Sequence, residues 1–284
     1  MSLALVYIAR GIDQGLLFAK NFFVAYQAYP AGYPHELIVI AKGWEGVQGR
    51  DELQRLAEVN TAKVIDLPDD GFDWGGYMRL APELSHDWLC FLNTKSRPRV
   101  AGWLKILREA ADFPTMNIGA VGATGSWGTL APILPQPSMN EEYNTPWIYP
   151  FRFIHNAVLF LNNIRDFHSF PNPHLRSNAF IVRRNLFVRF VETHKIPLCK
   201  RDAYKLESGR NGFSRFLFSL GLKIVVAGAD GKVYDPEQWN ESRTFRSSMQ
   251  SNLLVSDNQT LIYEMASQHI RKGLEKAAWG QILH

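Results

Sequence analysis

Four short runs in the first third of the chain, LALVYIAR from Leu3, ELIVIAKG from Glu36, AKVIDLP from Ala62 and DWLCFLN from Asp87, are apolar almost without interruption. A strand with one wet face alternates apolar and polar residues. Continuous runs of β-formers belong to strands buried on both faces. Helical patterns lie near residues 15–28, 51–59, 73–84 and 101–112, and further apolar runs fall near 117–122, 178–183 and 223–227. Strands alternating with helices predict an α/β fold whose mostly parallel central sheet is covered by helices on both faces.

At 284 residues the chain is long enough for one large domain, or one domain with an extension. From about 126 to 176 the pattern dissolves into prolines, aromatics and asparagines, which reads as long functional loops. Regular structure resumes with NAFIVRRNLFVRFVETH, and a helix near 211–220 is followed by Gly221 as its cap. After the turn signal Asp230-Gly231 the composition shifts, and residues 257–278 read as one helix with basic groups late in it. The expected division is a domain over 1–235 and a loop and helical extension over 236–284.

Cys90 and Cys199 have no metal or redox spacing, and Cys90 sits in an apolar run, a pattern suited to a reducing cytoplasm. The N-terminal MSLALVYIARGID lacks a basic leader region and reads as a first strand. No apolar run approaches the ~18 residues that span a bilayer. A formal charge of +4 suits phosphate-bearing substrates or an anionic lipid surface and makes no case for nucleic acid.

Residues 69–98, DDGFDWGGYMRLAPELSHDWLCFLNTKSRP, concentrate the chemistry. An acidic, glycine-rich turn opens a helix, and a buried strand then stops at Asn93-Thr94-Lys95-Ser96-Arg97. In open α/β sheets ligands bind past the carboxyl ends of strands. Amide, hydroxyl and cationic groups gathered there favour an anion such as a nucleoside diphosphate. In the predicted helix Asp73 and Tyr77 share a face, as do Gly75 and Arg79. Paired glycines in a first turn cost helix propensity, which signals close approach of a ligand or of another backbone at Gly75. Ala9-Arg10 and Lys42-Gly43 end neighbouring strands and belong on the same rim, with Asp66 ending the third run.

In these motifs the chain resembles inverting glycosyltransferases of the GT-A (Rossmann-like) fold, broadly family 2, and most of all polysaccharide-assembly enzymes of the rhamnan synthesis protein F type. The likeness covers roughly residues 3–230. In that family an N-x-G turn precedes a helix, and a strand ends in a D-x-D motif that holds a divalent metal on the donor diphosphate. Here Asp69-x-Gly71 and Asn93-x-Lys95 stand in those places. The resemblance implies a nucleotide-sugar site built from Ala9, Arg10, Lys42, Asp66, Asp70, Gly71, Asp73, Gly75, Asn93, Thr94, Arg97 and Arg243, with Asp66 reading the base. Hard cations require carboxylate oxygens. An ammonium in the metal's place would neutralise the leaving diphosphate directly. The expectation is therefore no required metal, with Lys95 in the catalytic set; weak dependence on Mn²⁺ or Mg²⁺ through Asp70 or Asp73 is the alternative.

In Leu206-Glu207-Ser208-Gly209 the family likeness makes Glu207 the general base, although Ser208 replaces the usual Asp. The competing reading is a carboxylate at a helix N-terminus, and Asp202 is the reserve base. His174, Arg176 and Asn178 in PNPHLRSNAF precede a strand and are expected to face the acceptor. The polar runs with Ser242, Arg243 and Arg246, and with Asp257 and Asn258, would close over the diphosphate; Asp257 is better read as a helix cap. The implied activity is hexosyl or deoxyhexosyl transfer from a nucleotide sugar to a glycan or lipid-linked glycan, with inversion, in surface polysaccharide synthesis. Any membrane contact would be peripheral, through the last helix and Trp279, for which packing on the main domain is the favoured reading. Two other classes stay open: an inactive GT-A-like binding module, and a sugar nucleotidyltransferase, for which ARGIDQG is a poor phosphate loop.

Overall fold

The computed structural model describes residues 1–12, 14–113, 116–131 and 149–280, and for 149–157 the backbone alone. The chain opens with β1 (Leu3–Arg10), α1 (Gly15–Ala28), β2 (Glu36–Lys42), α2 (Arg50–Val59), β3 (Lys63–Asp66), α3 (Phe72–Leu80) and β4 (Trp88–Leu92). It continues through β5 (Arg97–Pro98), α4 (Trp103–Ala111), β6 (Ile118–Gly122), β7 (Gly125–Ser126), α5 (Tyr149–Asp166), β8 (His174–Leu175) and β9 (Ala179–Arg183). Then come α6 (Arg184–Thr193), α7 (Lys200–Ser208), α8 (Phe213–Ser219), β10 (Lys223–Ala227), β11 (Val233–Tyr234), β12 (Val255–Ser256), α9 (Asn258–Met265) and α10 (Gln268–Trp279).

The main sheet runs β11-β10-β6-β9-β4-β1-β2-β3. β1, β2, β3 and β4 are parallel neighbours, with Tyr7 opposite Val39 on one side and Leu92 on the other. β9 lies antiparallel between β4 and β6. One rim therefore collects the carboxyl ends of β1–β4 and β6 together with the chain entering β9. Both faces are covered. Leu5, Tyr7 and Ala9 meet α1, α2 and α4 on one side. Val6 and Ile8 meet α3, α6 and α8 on the other, which explains the unbroken apolar runs. The α/β class, with a mostly parallel sheet between helical layers, is what the sequence predicts.

Each buried aromatic contributes ~1.5–3 kcal/mol on burial. Trp74 of α3 lies parallel to Phe187 of α6 and against Phe213 of α8, so an aromatic cluster fixes the helix that begins at the site. Tyr7 stacks on Phe22 with ring centroids 3.7 Å apart and donates its hydroxyl to the Thr94 carbonyl at 2.9 Å. The core thereby grips the turn after β4.

Some expectations need correction. Within 126–176, expected to be irregular, the chain forms α5, and β7 pairs with β8. Pro150 disguises that helix, yet it falls in the first turn, where a missing N–H does no harm. The single helix expected over 257–278 is two, because Ala266 leaves helical geometry at ψ 150°. The helix near 73–84 ends at Leu80 and tightens into a 3₁₀ turn over Ala81–Glu83. No helix among the described residues is long and apolar enough to cross a membrane.

Candidate active site

The acidic turn before α3 is built around Lys42. Its side chain is almost fully buried at the end of β2, and Nζ donates to the carbonyls of Asp70 at 2.6 Å and Phe72 at 2.7 Å. Those bonds hold two consecutive left-handed residues, Gly71 (φ 66°) and Phe72 (φ 56°). Burial pushes the Lys42 pKa down, opposed by Asp69 3.7 Å away. The lysine is consumed in holding the turn, so its expected place on the donor is corrected. Gly71 and Gly75 are explained by backbone packing. A Cβ on Gly71 would meet Gly75 Cα at 2.7 Å, and one on Gly75 would meet the Asp70 carbonyl at 2.7 Å. Asp70 is ion-paired with Arg79 and lines neither half of the cleft described below. Asp69 takes Arg10 in a two-pronged pair at 2.8 and 3.0 Å.

After β4 the backbone folds back on Asn93. Its Oδ1 accepts from Lys95 N at 3.1 Å and Ser96 Oγ at 2.9 Å, and its N–H donates to the Asn178 carbonyl at 3.3 Å. The Asn93 oxygen is thus used inside the turn. Lys95 Nζ lies 4.8 Å from the centre of the Phe18 ring and, among the described residues, pairs with no carboxylate. Arg97 departs into the β5–β12 pair and lines neither cavity described next.

Two adjoining cavities lie along the rim. The smaller, about 250 Å³, is lined by Arg10, Phe18, Phe72, Thr94 and Lys95. The larger, about 550 Å³, is lined by His174, Arg176, Glu207 and Arg246 among others. Asp73, Asn93 and Asn258 line both, so the two halves form one cleft that meets at those residues.

In the larger half, Glu207 occupies the last turn of α7, and Oε2 accepts from Ser177 Oγ at 2.6 Å. The competing reading, a carboxylate at a helix N-terminus, is not what the structure shows. Here the macrodipole opposes a carboxylate, so dipole stabilisation does not explain this residue. His174 Nδ1 donates to the Asn172 carbonyl at 2.8 Å, and burial lowers its pKa, which leaves a neutral imidazole at pH 7. Arg176 pairs with Asp257 at 2.7 Å, and Asp257 also caps α9 through Thr260 N at 2.9 Å. Asn178 is buried, its Oδ1 held by Thr124 Oγ1 at 2.6 Å.

Asp73 is the electrostatic centre of the cleft. Burial raises its pKa to about 6, with Lys42 opposing and Glu207 reinforcing the rise. No side chain among the described residues hydrogen-bonds its carboxylate. A divalent cation of the D-x-D kind needs several oxygens converging. At that position this chain offers Asp73, an amide oxygen already committed to the turn, and the ammonium of Lys95. The donor set does not fit such an ion, and no cluster of three or more His, Cys, Asp or Glu suited to a metal occurs among the described residues.

The remaining expected residues are dispersed. Ala9 is fully buried, and its carbonyl accepts from Trp44 Nε1 at 2.8 Å. Asp66 pairs with Arg50 at 2.8 Å beside a separate cavity of about 430 Å³ at the ends of β2 and β3. Arg243 is exposed and lines neither half of the cleft, whereas Arg246 lines the larger half. Asp202 pairs with Lys205 at 2.8 Å and faces another cavity, which removes the reserve base from the cleft. Ser177 and Gln259 reach the site with no motif to announce them.

The fold is an α/β sheet protein with an open cleft at the strand ends. No family model matches the chain, and no curated protein does. Among solved structures, a CMP:2-keto-3-deoxy-manno-octonic acid synthetase complexed with CTP is similar over 80% of this chain and 89% of its own, at 10% identity and TM-score 0.43. Glucosyl-3-phosphoglycerate synthase from Mycobacterium tuberculosis, in complex with Mn²⁺, UDP-glucose and glycerol 3-phosphate, is similar over 65% of this chain and 57% of its own, at 13% identity and TM-score 0.37. A mannosyltransferase from Pyrobaculum calidifontis, in complex with GDP-mannose and Mn²⁺, is similar over 97% of this chain and 68% of its own, at 10% identity and TM-score 0.45.

Proposed function

We propose that the chain is a nucleotide-sugar-dependent glycosyltransferase acting by single displacement with inversion. The observation that carries this reading is one continuous cleft with Lys95 in one half, Glu207 in the other, and Asp73, Asn93 and Asn258 between them. Inverting transfer needs a cation at the departing diphosphate and a carboxylate at the attacking hydroxyl, on opposite sides of the sugar.

The donor diphosphate lies in the smaller half, against Lys95 and Arg10, with Thr94 and Asp73 around the sugar. The Asp66 cavity takes the base. The acceptor fills the larger half, near His174, Arg176 and Asn178. Its hydroxyl oxygen attacks the anomeric carbon, and Glu207 removes the hydroxyl proton. The carbon–oxygen bond to the diphosphate breaks, and Lys95 meets the charge that develops, without a required metal. Hexosyl or deoxyhexosyl transfer in surface polysaccharide assembly is the finer proposal, supported by the resemblance of the 69–98 motifs. A fold boundary near 235 does not divide the chemistry, since Arg246, Asp257 and Asn258 line the cleft.

Thermal shift with UDP-, GDP-, dTDP- and CMP-sugars tests the reading. One nucleotide class should raise Tm, and that donor should be hydrolysed slowly without acceptor. Synthesis of a sugar nucleotide from a sugar phosphate and nucleoside triphosphate would establish a nucleotidyltransferase instead. Glycan binding indifferent to nucleotide would establish a binding module.

A further inference from the structure

Arg176 and Arg246 approach one ring: their guanidinium carbons lie 4.2 and 5.0 Å from the centre of Phe245. Both line the larger half of the cleft. The carboxylate between them, Asp257, bonds Arg176 at 2.7 Å and is committed to the cap of α9. Arg246 is left with a neutral partner, donating from Nη2 to Gln259 Oε1 at 2.7 Å. Its Nε is buried with no partner among the described residues. A guanidinium in this state is under-compensated. Burial, then Arg176, pulls its pKa down to about 10, with Asp257 only partly opposing the shift. Lys200 lines the same space with Nζ over the Tyr204 ring at 5.6 Å, while Glu207 accepts from Ser177 and pairs with no cation among the described residues. Outside the Arg176–Asp257 pair, then, Arg246, Lys200 and Glu207 form no ion pair among the described residues.

Resting on the transferase reading, we infer that the acceptor carries an anionic group, a phosphate or a carboxylate, held by Arg246 while the reacting hydroxyl meets Glu207. The donor diphosphate does not account for this arginine, because Arg246 does not line the half that holds Lys95.

Calorimetry on the full chain separates acceptor from donor without turnover. Glucose 6-phosphate and glucuronate should bind at least ten-fold more tightly than glucose. Arg246→Gln should weaken the anionic sugars ~10- to 100-fold and Arg246→Lys less, with Tm confirming both folds. A panel of UDP, GDP, CDP and dTDP should find one nucleoside diphosphate whose affinity Arg246→Gln barely moves and Lys95→Ala reduces. If Arg246→Gln weakens that diphosphate and spares the sugar phosphate, the arginine serves the donor and the inference is overturned. Diphosphate binding with no preference for anionic sugars overturns the inference but leaves the transferase reading standing. Binding of neither class overturns both.

Discussion

Glu207 Oε2 accepts two hydrogen bonds from Ser177, from Oγ at 2.6 Å and from N–H at 3.3 Å. A residue at the entry to β9 thereby aims a carboxylate at the end of α7 into the cleft. Glu207→Gln keeps the shape and the acceptor lone pair facing Ser177 but cannot take a proton. Turnover should fall ~10²- to 10⁴-fold with donor affinity unchanged, measured by single-turnover kinetics beside donor calorimetry. Ser177→Ala should lower kcat about ten-fold, a share of the same contribution. Retained turnover in Glu207→Gln would reject this base and direct attention to Asp73.

Lys95 is tested by charge removal and by chelation. A charge-assisted contact to phosphate is worth ~1.5–3 kcal/mol. Lys95→Ala should therefore weaken nucleoside diphosphate binding ~10- to 100-fold, and excess EDTA should leave wild-type turnover in place. Strict dependence on Mn²⁺ would refute the role given to the ammonium.

Lys42 is expected to affect stability first and binding second. Its two bonds fix the turn that starts α3, and each unsatisfied carbonyl costs ~1–3 kcal/mol. Lys42→Ala should lower unfolding stability by about 2 kcal/mol or more in urea titrations. Loss of nucleotide binding at unchanged stability would mean that the ammonium reaches the donor after all.

The strands were legible because burial on both faces writes itself as unbroken apolar runs, and their ends fixed the rim. The direction of β9 was not legible, since apolar content carries no polarity. Asn93 and Lys95 were found by position, but the inward turn of the Asn93 oxygen depends on Ser96 and Asn178, which periodicity does not connect. Arg243 and Arg246 could not be told apart from sequence for a similar reason. The segment passes through left-handed conformations at Arg243, Arg246, Ser248, Met249 and Gln250, so no helical or strand period tells which arginine points inward.

Asp73 couples the chemistry to stability. Its pKa is raised from an ordinary 3.8 to about 6, so the folded protein prefers the neutral acid, and ionisation destabilises it. The sign follows from linkage: the penalty is absent below the unfolded pKa, grows as pH rises from about 4 to 6, and is fully present above that. A rise of two units corresponds to about 3 kcal/mol, reduced to ~1–3 kcal/mol where water reaches the group. Asp73→Asn removes the charge at every pH. It should raise Tm at pH 8 and lose that advantage below pH 4, while turnover falls because the residue lies between the two halves of the cleft. Thermal melts of both proteins from pH 4 to 8, paired with the pH–rate profile, check this. Equal melts across that range would show that Asp73 is solvated like a surface carboxylate, and the centre of the cleft would have to be placed elsewhere.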